Sequence, residues 1–197
     1  MKKTIFAIAL ATAGLVAIPA AFAQDSAPTA QQGWYVGANA GYANVDKGPY
    51  NDGDFTGGVK GGYRFALNPE TSLGAEIGYQ YLGRPDATGA AQAAAGVNGQ
   101  SKLQGATAGL DLRYNFAPSW YAELRGGAFF AKGEGLTDSA NPEFRDFRKT
   151  KYYAGAGVGY NVNSQWSLGL NYDYYAGNGE NVKLDTSAYT VSAEYRF

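Results

Sequence analysis

The chain has 197 residues, rich in Gly (28), Tyr (16) and Phe (10), with no Cys, no His and a formal net charge of −1. The absence of histidine excludes Ser-His-Asp, Cys-His and His-metal chemistry as normally built, and the absence of cysteine excludes a disulfide framework. The charge balance offers no basic patch for nucleic acid, and the glycine and aromatic content favours strands and turns over a helical bundle.

Residues 1–23 differ from the rest: Lys2 and Lys3, then the apolar run "IFAIALATAGLVAIPA", then Ala21-Phe22-Ala23 before Gln24. That is the pattern of a cleaved secretory signal, and the run is barely long enough for a lone membrane anchor. Cleavage after Ala23 removes two of the 16 basic residues and leaves 14 against 17 acidic ones, a charge of −3. A polar N-terminal segment, 24–32, leads into the body of the chain, 33–197.

The body repeats an alternating segment followed by a break. Eight strands are predicted, at 33–42, 54–65, 73–83, 102–116, 120–131, 151–162, 166–175 and 186–197. The connections 66–72 ("ALNPETS"), 117–119 ("APS") and 163–165 ("NSQ") are short and carry Pro, Asn and Ser turn chemistry. Those at 43–53, 84–101, 132–150 and 176–185 are longer and polar. Small residues dominate 84–101, which is expected to be mobile. Strict alternation of short and long connections predicts an all-β fold, an eight-stranded antiparallel up-and-down transmembrane β-barrel with both termini on the turn side.

Within each strand one parity is apolar. Phe55, Val59, Tyr63 and Phe65 oppose Thr56, Lys60 and Arg64; Leu73, Ala75, Ile77 and Tyr79 oppose Glu76 and Gln80. The strand charges fall on one parity: Lys60, Arg64, Arg113, Arg125 and Arg196 against Glu76, Asp111, Glu123, Asp173 and Glu194. A basic residue facing lipid at mid-depth costs about 2–4 kcal/mol, so a membrane barrel sorts its charges inward. Trp34, Tyr63, Phe65, Tyr114, Phe116, Trp120, Tyr160, Trp166, Tyr195 and Phe197 form one aromatic girdle beside the short turns. Tyr42, Tyr79, Tyr81, Phe130, Tyr152, Tyr172, Tyr174 and Tyr189 form the other. A soluble exported barrel would have to pack these rings inside and show an outer face of mostly glycine, a poor fit to a small barrel.

Counting from the turns places Arg64, Glu76, Arg113, Glu123, Glu194 and Arg196 in a lower layer and Lys60, Gln80, Asp111, Arg125 and Asp173 in a higher one. Five cations and five carboxylates in a narrow interior are expected to cross-link into a polar core. Inward glycines, among them Gly58, Gly62, Gly155 and Gly159, are expected to leave room for water, and because the lumen charges sum to zero any conductance is expected to be small and weakly selective. In 132–151, "KGEGLTDSANPEFRDFRKTK", the residues Phe144, Arg145, Phe147 and Arg148 are candidates for a surface contact with lipopolysaccharide or a host surface.

"GWYVGANAGYA" at Gly33, "GAEIGYQYLGR" at Gly74, "LRGGAFFA" at Leu124, "YAGAGVGY" at Tyr153 and the terminal "SAEYRF" together resemble the transmembrane domain of the outer membrane protein A family. The resemblance covers almost all of the chain from residue 33. It implies location in the outer membrane and an assembly signal at Tyr195 and Phe197, read by the assembly machinery after escort by periplasmic chaperones. The family's periplasmic peptidoglycan-binding domain is not expected, because the chain stops at the last barrel strand. The family's gate pairs an inward glutamate with an arginine. Glu76 matches the glutamate, but Gly169 stands at the arginine's position, Asp111 where a lysine is expected and Gly159 where a glutamate is. The expected role is structural, with surface display; a low-conductance porin-like channel and a loop-borne adhesin or receptor are the alternatives. No catalysis, cofactor or metal is expected. The partners expected are outer-membrane lipid and lipopolysaccharide.

Overall fold

The computed structural model describes residues 30, 32–47, 50–84, 101–136, 144–177 and 184–197. The expected signal at 1–23, nearly all of the polar segment 24–32 and most of the small-residue connection 84–101 lie outside the described residues.

Eight antiparallel strands close on themselves in chain order: β1 (Gly33–Lys47), β2 (Tyr50–Ala66), β3 (Thr71–Tyr81), β4 (Lys102–Asn115), β5 (Trp120–Leu136), β6 (Phe144–Asn161), β7 (Trp166–Tyr175) and β8 (Thr186–Arg196). β1 seals the barrel against β8, with Tyr35 opposite Arg196 and Val45 opposite Thr186. Closure leaves no strand at a free edge in the body of the barrel, as a membrane interior demands.

At the short turns a side chain stands in for the missing backbone partner. Asn68 Oδ1 accepts from the Glu70 and Thr71 amides at 2.9 and 2.7 Å, and Asn163 Oδ1 accepts from those of Gln165 and Trp166 at 2.8 and 2.7 Å. At the other end two connections are shorter than expected. The β1–β2 ladder runs on to Lys47 opposite Tyr50, and β5–β6 runs on to Leu136 opposite Phe144. Above the bilayer both faces of a hairpin meet water, so its strands need no apolar alternation and their polar sequence reads as loop.

The outward parity is exposed and apolar: Ile77 is 70% exposed, Val59 and Leu170 61% and Leu124 59%. Around the turn side, ring pairs link Trp34 to Tyr63, Trp120 to Tyr160 and Trp166 to Tyr195, with centroids 5.1–5.3 Å apart. On the loop side Tyr152 meets Tyr174 and Tyr172 meets Tyr189. Both girdles are thus in place.

The interior has two zones rather than the single polar one expected. Toward the turns lies the charged cluster; toward the loops Val45, Leu82, Leu103, Phe129, Tyr175 and Leu184 form an apolar core, each at most 5% exposed. Phe129 packs edge-on against Tyr175 with centroids at 5.2 Å, and Tyr153 stacks on Tyr175 at 5.8 Å. Nor do the inward glycines leave room for water. A Cβ on Gly62 would lie 2.9 Å from Tyr35 Oη, and one on Gly159 would strike the Tyr121 ring. At Gly62 and Gly159 the absent side chain makes space for a tyrosine, and at Gly58 and Gly155 the space is taken by Gln80 and Asp173.

Candidate functional site

Every strand points at least one polar side chain into the lower lumen. Arg64 on β2 is fully buried, and its guanidinium spans two acids: Nε and Nη2 donate to Asp111 Oδ2 at 3.0 and 2.9 Å, and Nη1 donates to Glu194 Oε1 at 2.7 Å. Its cation lies 4.2 Å from the centre of the Tyr35 ring. Arg113 on β4 repeats the arrangement. Nε and Nη2 donate to Glu123 Oε2 at 3.1 and 2.7 Å, Nη2 also reaches Glu194 Oε2 at 3.0 Å, and Tyr121 lies beneath at 3.9 Å. Fork geometry lets one guanidinium bridge two carboxylates, and the ring face adds a cation–π contact.

Lys60 Nζ donates to Glu76 Oε2 at 3.2 Å and Glu123 Oε1 at 3.3 Å. Arg125 grips both oxygens of Asp173 at 2.6 Å and touches Glu123 Oε1 at 3.3 Å. Arg196 closes the turn-side mouth: Nη1 donates to the Ser164 carbonyl at 2.9 Å, and Nη2 lies 3.8 Å from Glu194 Oε1. All ten predicted charges therefore join one connected network. Taking charges out of water is costly, and only this mutual pairing with further hydrogen bonds offsets it.

The two depth layers are not separate. Asp111, expected higher, bonds Arg64 below; Glu76, expected lower, bonds Lys60 above. Strand tilt and shear shift each strand along its neighbour, so residue counts from the turns do not measure depth. Glu76 finds its cation on the adjoining strand rather than across at Gly169, where a Cβ would lie 2.9 Å from Ser192 Oγ. It also accepts from Tyr153 Oη at 2.9 Å and Tyr35 Oη at 3.3 Å. Tyr35 and Tyr153 escaped the sequence reading, although each has the opposite parity to an adjacent lipid-facing residue, Trp34 and Tyr152.

Each of the five network carboxylates is held by at least one cation, and among the described residues no three metal-ligating side chains converge. Elsewhere, Tyr195 is half-buried and Phe197 is 73% exposed, with their rings edge to face at 5.2 Å. Phe144, Arg145, Phe147 and Arg148 fall within β6 rather than in a loop; Arg148 is exposed and stands directly opposite Lys132.

A family model described as outer membrane protein beta-barrel domain matches residues 8–197. Outer membrane protein A of Serratia marcescens is 27% identical over 214 residues, spanning 100% of this chain and 56% of that protein. The 31 kDa outer-membrane immunogenic protein of Brucella melitensis is 29% identical over 210 residues, spanning 88% of this chain and 86% of its own length. The chain spans about half the length of the outer membrane protein A relatives it matches. The crystal structure of Neisserial surface protein A has the same fold, with a TM-score of 0.57 at 14% identity over 83% of this chain and 97% of the other.

Proposed function

The chain belongs to the outer membrane protein β-barrel domain family, as an outer-membrane barrel of the outer membrane protein A type, and from that premise we propose that it is a closed structural barrel. It anchors in the outer membrane through its apolar wall, supports that membrane and presents its loops outside. One observation carries the reading: the ten inward charges form a single network beneath an apolar core, so two unlike barriers lie in series along the lumen. An ion entering from the loop side meets a buried apolar layer, and one entering from the turns meets charges already paired. No reaction is assigned, because each of the five network carboxylates that could act as acid or base is bound to a cation.

A second reading, a surface adhesin or receptor, is favoured by the reach of β5 to Leu136 and of β6 from Phe144, which carries the barrel wall beyond the loop-side girdle. The channel alternative has no such support. Single-channel recording in planar bilayers tests the closed barrel. The wild type should give no events, and neither should Glu76→Ala alone, because the apolar layer remains. Openings should appear when Glu76→Ala is combined with Phe129→Ala. Steady small openings in the wild type would transfer the assignment to a solute channel.

A further inference from the structure

Above the loop-side girdle the outer wall changes character on three adjacent strands. Gln104 of β4, Lys132 of β5 and Arg148 of β6 are direct cross-strand partners in one row, and Lys102, Glu134 and Asp146 make the next row up. These six side chains line a cleft of about 230 Å³. Lys132 and Arg148 are exposed like charges placed opposite each other, an arrangement that destabilises a sheet unless an anion is shared between them. Among the described residues no ion pair joins either one to Glu134 or Asp146.

Height identifies what would lie there. From Trp120 in the turn-side girdle to Phe130 in the loop-side girdle is ten residue steps, roughly 26 Å along the membrane normal at 3.4 Å per residue and about 40° of tilt. That matches the apolar band of a barrel, about 25 Å tall. Lys132, two residues beyond Phe130, stands about 5 Å higher, where headgroup phosphates begin. From the membrane outward a phosphate meets the Lys132–Arg148 row before the carboxylates. The other end of the barrel has no counterpart, since the short turns contain no Lys or Arg.

We propose that Lys132 and Arg148, with Lys102 and Gln104 beside them, form a binding site for the phosphate of an outer-leaflet glycolipid headgroup. The guanidinium supplies two parallel donors, the ammonium a point charge, and the amide of Gln104 a further hydrogen bond. The inference needs the loops to face outward but does not depend on the closed lumen, so conductance results leave it untouched.

The test is native mass spectrometry of the barrel refolded into phosphatidylcholine nanodiscs containing a small fraction of lipid A. One basic residue near an anionic surface contributes roughly fivefold in affinity, so Lys132→Ala/Arg148→Ala should weaken lipid A retention about thirtyfold. Heat-modifiable gel mobility confirms folding of the variant. The wild type should retain dephosphorylated lipid A no better than the double variant retains lipid A. Equal retention of lipid A by wild type and variant overturns the proposal, as does equal retention of the two lipids by the wild type. Displacement of lipid A from the wild type by millimolar inorganic phosphate would make this a free-anion site and also overturn it.

Discussion

Arg64→Ala measures how far the lumen network holds the barrel together. Arg64 makes four hydrogen bonds to two carboxylates, at 3.0 and 2.9 Å to Asp111 and 2.7 and 3.3 Å to Glu194. At about 1.5–3 kcal/mol for each bond to a charged group, their gross value exceeds 6 kcal/mol. The net loss is smaller, because Asp111 keeps Tyr35 Oη at 2.8 Å, Glu194 keeps Arg113 Nη2 at 3.0 Å, and water can enter the vacated space. Breaking a buried pair by removing one partner costs about 3–5 kcal/mol, and that is the expected destabilisation. Asp111→Ala should be costly for the same reason. The double variant should fall short of the sum of the two by about 2 kcal/mol or more, since its partner charge no longer stands uncompensated. Reversible urea unfolding from lipid vesicles, followed by tryptophan fluorescence, reads this directly, because Trp34, Trp120 and Trp166 all lie exposed in the turn-side girdle. A loss below about 1 kcal/mol for Arg64→Ala, or strict additivity in the cycle, would show that water rather than pairing supports the lumen charges.

Phe129→Ala removes a fully buried ring from the apolar layer and should cost about 3–5 kcal/mol in the same unfolding assay, while leaving the bilayer silent as long as the charge network is intact. Gly41→Ala should impair folding, because its Cβ would collide with the Tyr189 carbonyl and come within 2.8 Å of the Thr190 Cα. Gly61→Ala should be tolerated, its nearest neighbour being the Tyr35 carbonyl at an ordinary 3.4 Å; gel mobility of unboiled samples separates the two outcomes. Phe197→Ala should lower the amount of protein assembled in the outer membrane of cells without slowing spontaneous refolding into vesicles, since Phe197 is 73% exposed. Equal loss in both settings would make the residue structural rather than an assembly signal.

Parity carried much of the fold. A side chain in a strand faces either lipid or lumen, and the penalty for a charge in lipid is large enough to separate the two sets without exception in Lys60, Arg64, Asp111, Arg125 and Asp173. Parity marked Tyr35 and Tyr153 equally well, but Tyr is at home on either side, so its direction alone did not announce a partner for Glu76. The strand ends at Lys47, Leu136 and Phe144 were illegible for a related reason: above the membrane no penalty enforces alternation, and backbone pairing continues under any polar sequence.

Local alternation and the length of the connections are written along the chain, and they suffice for the barrel, its strand number, the ten charges that face inward and their balance. That Arg64 meets Asp111, that Lys60 meets Glu76 and that Leu82, Leu103 and Leu184 complete an apolar layer above them emerges once the strands close into a barrel. Pairings across a lumen depend on the stagger between strands, which the closure of the whole sheet sets and no single strand encodes.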